Sequence, residues 1–226
     1  MSDTIPMDPA TVMRQMNPPK RTRADGVSSN VKQHVVILRD HSSSMSGHKV
    51  DEANAGTRAL IRELARGENK EGFFVTVIEF NEMATPLHQG EPASRLQTAL
   101  RDSTASGGTE ITAALAEAVR AIDAFAKAPD RGYYYLRPVT ILFSDGQSSV
   151  DDAVLVELKE RSLVVTAAYG TDADHGLLER IATSPEHCHS CGADGDELRR
   201  FLAQVGATVS RSVAQNQDLQ QTLMTV

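Results

Sequence analysis

Three polar stretches of this sequence carry side chains suited to holding a hard cation. The first is Asp40-His41-Ser42-Ser43-Ser44, in which Asp40, Ser42 and Ser44 alternate. If that stretch is extended, those three side chains turn to one side. In the second, Ser106-Gly107-Gly108-Thr109, the paired glycines let the backbone pass close to a neighbouring loop. The third is Ser144-Asp145-Gly146. Two carboxylates (Asp40, Asp145) and three hydroxyls (Ser42, Ser44, Thr109) suit Mg²⁺, which takes octahedral oxygen at about 2.0–2.1 Å and keeps waters. Mn²⁺ and Ca²⁺ are the alternative ions. A spare coordination position would attract a carboxylate from outside the chain.

The elements that must position these stretches follow from hydrophobic patterning. Val35-Val36-Ile37-Leu38 is a short apolar run ending at Arg39-Asp40, as in a strand buried on both faces. Val50, Ala53, Thr57, Leu60, Ile61 and Leu64 then fall at helical spacing, with Gly67 as a stop. The β-branched and aromatic run from Phe73 to Phe80 predicts a second strand. A short strand near Thr85 to His88, reached by a tight turn, is expected to lie antiparallel at a sheet edge. Ile111, Leu115, Val119, Ile122 and Ala126 mark a long helix starting near Thr109. Val139 to Phe143 is the fourth strand, and Asp151 is the N-cap of a helix through Glu160. Leu163 to Tyr169 is a strand, His175 to Ala182 a short helix, and Glu197 to Val213 a final amphipathic one. The alternation predicts a doubly wound, Rossmann-like α/β domain. Its sheet is mainly parallel, with helices on both faces and one short antiparallel edge strand. In such sheets ligands gather beyond the carboxyl ends of the strands, where all three polar stretches fall.

Here the residues carry a resemblance. Asp40-His41-Ser42-Ser43-Ser44, Thr109 within Ser-Gly-Gly-Thr, and Ser-Asp145-Gly look like the three parts of the metal-ion-dependent adhesion site (MIDAS) of von Willebrand factor A domains. The flanks Met45-Ser-Gly-His-Lys and Phe143-Ser-Asp-Gly are similar to those of bacterial members, above all small cytoplasmic proteins of tellurium-resistance and stress operons. The resemblance spans about residues 33 to 213. It implies that Ser42, Ser44 and Thr109 bond a metal, that Asp40 and Asp145 hold it directly or through water, and that a partner's acidic residue completes the shell without catalysis. His41, Ser43, Gly108 and Gly146, beside the ligands in the chain, are the expected partner-binding positions. Ser43 stands where many members have glycine, and Ser144 replaces a frequent threonine while keeping its hydroxyl. An isolated Asp-x-Ser-x-Ser is usually a solvated loop. Three segments in order, each at a predicted junction, are far harder to obtain by accident.

The competing chemistry is phosphoryl transfer of the haloacid-dehalogenase kind, with Asp40 as nucleophile. That chemistry needs a second carboxylate two residues on, where this chain has Ser42, a poor general acid or base. His187-Cys188-His189-Ser190-Cys191 is a compact set of soft ligands, but crowded onto one short loop it reads better as unpaired thiols than as a zinc site. His48 and Lys49 read as solvated first-turn residues, and Tyr133-Tyr134-Tyr135 as an aromatic patch partly buried on the sheet.

Composition bounds the rest. A formal net charge of −7 argues against nucleic acid as principal partner. Two cysteines make no disulfide framework, and neither a signal peptide nor a membrane span is visible, so a cytoplasmic setting is expected. Residues 1–30, with four prolines and the Lys20–Arg23 basic cluster, are expected to be a flexible extension. The domain is expected over 31–213, and 214–226 as a polar tail.

Overall fold

The computed structural model describes residues 31–69, 71–127, 133–191 and 195–215. The extension expected over 1–30 and residues 216–226 of the expected tail lie outside the described residues.

β1 (Val31–Asp40) runs through the middle of a six-stranded sheet and is buried along its whole length. Its neighbours are β2 (Phe73–Phe80) and β4 (Tyr134–Ser144), both parallel to it. β3 (Ala84–Pro92) pairs antiparallel with β2 at one edge. β5 (Leu163–Tyr169) and β6 (Cys188–Cys191) continue the parallel side, giving the order β3-β2-β1-β4-β5-β6. The edge strand foreseen near 85–88 is therefore nine residues long. β6 and the helix α2 (Ala93–Ala99) were not foreseen, because stretches of four and seven residues hold too little periodicity to announce themselves.

The other helices are α1 (His48–Leu64), α3 (Ile111–Ala126), α4 (Asp152–Arg161), α5 (His175–Ile181) and α6 (Gly195–Gln215). Asp151 caps α4 by accepting from the N–H groups of Ala153 and Val154. α1 ends at Leu64, and Gly67 opens a short 3₁₀ turn instead of capping it. Asn69 supplies the cap, its amide donating to the carbonyls of Glu63 (2.9 Å) and Leu64 (3.0 Å).

Because side chains alternate across a strand, β1 feeds two cores. Val35 and Ile37 pack with Leu60, Ile61, Leu96, Val205 and Val209 on the α1, α2 and α6 face. Val36 and Leu38 pack with Ile111, Leu115, Leu155 and Leu178 on the α3, α4 and α5 face. This is a doubly wound α/β fold with helices on both faces. The parallel register also brings the carboxyl ends of β1, β2 and β4 to one edge, with Arg39 opposite both Glu79 and Phe143.

Candidate functional site

Asp40 closes β1 with its side chain fully buried. Ser42 N–H donates to its Oδ1 (2.9 Å), and the Ser144 hydroxyl, one residue past the β1–β4 pairing, donates to its Oδ2. The chain does not then stay extended. Ser43–Met45 forms a 3₁₀ turn, held by Met45 N–H to the Ser42 carbonyl (3.0 Å) and anchored by the buried Met45 side chain. The turn still brings hydroxyls together, with Ser42 Oγ 3.0 Å from Ser44 Oγ.

The loop carrying Thr109 is laced to this one. Ser43 N–H donates to the Gly107 carbonyl (2.9 Å) and Ser106 N–H to the His41 carbonyl (2.7 Å). Gly107 sits at φ +76°, a left-handed conformation that favours glycine, and a Cβ there would lie 3.1 Å from Asn81 Nδ2. Thr109 itself is half-buried at the end of this loop. α3 begins at Ile111, two residues later than expected, with Glu110 as N-cap.

Beneath these loops lies a network with no signature in the sequence. Arg39, 1% exposed, pairs with Glu79 and donates to Asn54 Oδ1 and the Arg101 carbonyl (3.1 Å each). Asn54 also exchanges hydrogen bonds with the Ser103 backbone (3.1 and 3.0 Å). A buried guanidinium thus ties the segment leading to Thr109 to β1 and β2, and losing Glu79 would strand its charge in the core.

Asp145, also fully buried, lies on the third loop. Ser144 Oγ accepts from Gly146 N–H (2.9 Å) while donating to Asp40, so one hydroxyl couples the two acidic loops. Burial raises the Asp40 pKa, and the neighbouring Asp145 carboxylate pushes the same way, against the hydrogen bonds from Ser144 and Ser42. Among the described residues no lysine or arginine reaches Asp40. Two neighbouring buried carboxylates, of which Asp40 has no cationic partner among the described residues, are costly, and a divalent cation would offset that cost. The residues therefore fit a hard divalent ion. No three His, Cys, Asp or Glu side chains gather to hold a metal among the described residues, so an ion here would rely on hydroxyls.

Lys49 departs from its expected solvated position. Its ammonium sits 3.3 Å from Asp145 Oδ2 and 2.8 Å from Asp172 Oδ1. Burial works against its charge, but the two carboxylates outweigh that and raise its pKa. Of the positions expected to face a partner, His41 is half-buried, with Nδ1 3.2 Å from the Thr104 carbonyl, while Ser43 and Gly108 are exposed. Gly146 is instead buried beneath Asp174 and Leu178.

The thiols sit elsewhere. Cys188 and Cys191 are free and lie three residues apart on β6, so they project to opposite faces of the sheet and join different cores. Burial raises both pKa values, that of Cys191 to about 12. They cannot share one zinc ion in this arrangement.

The sequence profile of the von Willebrand factor type A domain matches residues 34–201. No curated protein matches the chain. Proximal thread matrix protein 1 of the mussel byssus, solved with a zinc-occupied MIDAS motif, is 19% identical with TM-score 0.61, over 81% of this chain and 47% of that one. A von Willebrand factor type A structure from Catenulispora acidiphila is 21% identical with TM-score 0.63, over 79% of this chain and 42% of its own. The corresponding domain of the type V pilus tip protein of Porphyromonas gingivalis is 14% identical with TM-score 0.65, over 81% and 97%. The chain thus spans about half the length or less of the first two. Among the described residues no helix is long and apolar enough to cross a membrane.

Proposed function

This chain belongs to the von Willebrand factor type A domain family, and from that membership we propose that it is a non-enzymatic, metal-dependent protein-binding module. Asp40, Ser42, Ser44, Thr109 and Asp145 hold one divalent cation, Mg²⁺ in the first place, and a partner's acidic residue completes its shell. The bound ion supplies an electrostatic bridge between fixed oxygens of this chain and a carboxylate of another. His41, Ser43 and Gly108 border the contact, with Gly146 beneath it. The proposed module spans 31–213.

The observation that carries this is the pair of neighbouring buried carboxylates, Asp40 and Asp145, with Asp40 bonded to Ser42, the Ser42 hydroxyl meeting that of Ser44, and no lysine or arginine on Asp40 among the described residues. Further support comes from the zinc-occupied MIDAS of the byssus protein, a divalent ion held within the same fold. Asp40 has Ser42, not an acid, two residues on, which weighs against the phosphotransferase alternative. The free thiols agree with a cytoplasmic setting.

The test is calorimetric titration of Mg²⁺ and Mn²⁺ into the parent, Asp40→Ala and Asp145→Ala, with phosphatase activity assayed on the same samples. Binding by the parent alone, without turnover, is expected. Metal-dependent turnover lost with Asp40 would replace this reading with the phosphotransferase. From the resemblance of its flanking motifs we also propose a bacterial stress or tellurium-resistance setting; capture of partners in Mg²⁺ with release by chelator tests it, and it fails if the partners belong to neither.

A further inference from the structure

Lys49 occupies the second position of α1. A cation is disfavoured in the first turn of a helix, where the backbone dipole is positive. Tertiary contacts must therefore hold this ammonium, and they come from two distant loops. Asp145 Oδ2 lies 3.3 Å away and is fully buried, while Asp172 Oδ1 lies 2.8 Å away on a side chain that is 53% exposed. The ammonium straddles an inner and an outer carboxylate and is closer to the outer one.

The loop after β5 is shaped around this pair. Gly170 adopts φ +100°, and a Cβ there would lie 2.7 Å from Asp172 Oδ1 and 3.0 Å from Lys49 Cε. Gln147, two residues past Asp145, donates to Asp172 Oδ2 (3.2 Å), and Asp174 N–H donates to the Asp145 carbonyl (2.7 Å). Loop 170–174 is thus bonded to the Asp145 loop through backbone and side chains together.

We propose that Lys49 is a built-in counter-ion that competes with a divalent cation for Asp145, and that Asp172 takes up the ammonium when Asp145 turns to a metal. This rests on the metal-site reading above. Lys49 neutralises Asp145 in the metal-free protein and sets a threshold that an incoming ion must exceed. Its shift toward Asp172 tightens the outer pair and carries the state of the site to loop 170–174 on the rim. Lys49 is a positioning residue here, acting on the metal through Asp145.

The experiment is Mn²⁺ titration by calorimetry of the full chain as parent, Lys49→Met, Asp172→Asn and the double variant, with Lys49→Gln as a second replacement. Thermal melts of each are recorded in chelator and in Mn²⁺. Lys49→Met is expected to bind roughly tenfold more tightly, because a unit charge a few ångströms from the ion has gone. It should also melt below the parent in chelator and gain more on Mn²⁺ addition. Asp172→Asn leaves the ammonium wholly to Asp145 and should weaken binding about threefold in the parent background. In the Lys49→Met background the same change should have no effect, because Asp172 acts through the ammonium. Equal affinities for parent and Lys49→Met would overturn this inference while leaving the metal site standing. So would an Asp172→Asn effect of equal size in both backgrounds, which is plain long-range electrostatics. If neither the parent nor any Lys49 variant binds Mn²⁺, the metal-site reading and this inference fall together. Binding by the Lys49 variants alone supports both.

Discussion

Ser144 shows how much of the site's geometry depends on a residue outside the proposed ligand set. Its single hydroxyl donates to Asp40 and accepts from Gly146 N–H, tying two acidic loops together at the carboxyl edge of the sheet. Asp40 itself is a buried charge disfavoured both by desolvation and by Asp145. Asp40→Asn removes that charge, keeps an oxygen to accept from Ser42 N–H, and offers an amide toward Ser144. We expect this variant to melt above the parent in chelator and to lose the parent's rise in Mg²⁺, read by circular dichroism. A lower melting point in chelator would mean that the carboxylate's hydrogen bonds outweigh its desolvation. That Asp40 closes one strand and Asp145 follows another was legible from local pattern, whereas the serines meet through a 3₁₀ turn and not along the extended chain that was expected.

The contact between α1 and α6 shows what periodicity leaves open. The apolar faces of both helices were visible in the sequence, but not that they would pack so closely at Gly206. A Cβ there would sit 2.9 Å from Glu63 Cβ and 3.1 Å from Leu60 Cδ1. Asn69 adds a polar tie, its amide donating to Ser210 Oγ (3.0 Å) as well as capping α1. Gly206→Ala would gain about 1 kcal/mol of helix propensity. Overpacking at a tight contact costs about 1–3 kcal/mol. Since the first atom met is a Cβ and not a flexible tip, we expect the cost to exceed the gain, with a net loss of about 1 kcal/mol in urea denaturation. A more stable variant would show that the two helices can separate slightly at no cost. α2 and β6 escaped the sequence reading for a related reason, since short elements are defined by what they pack against.

The fold as a whole stands on a central strand that is unusually polar for its burial. His34, on β1, stacks on Phe125 (4.2 Å between centroids) with Nε2 2.8 Å from Thr76 Oγ1. Burial lowers its pKa from 6.5 to about 4. The folded state thus keeps His34 neutral where the unfolded chain protonates it, so this contribution is complete above pH 6.5 and is lost as pH falls toward 4. The loss reaches about 3 kcal/mol by pH 4. Urea midpoints at pH 7 and pH 4.5 should fall further for the parent than for His34→Gln, and equal falls would remove His34 as the cause. The alternation of strands and helices, the two-faced core and the family were all legible in the sequence, because strand and helix periods and motif spacing are local properties of the chain. Only tertiary structure could join Lys49 to Asp145 and Asp172, 96 and 123 positions away, seat Arg39 against Glu79, or send Cys188 and Cys191 into opposite cores. A charged side chain finds its partner wherever packing delivers a buried opposite charge, and no local pattern records which distant loop that will be.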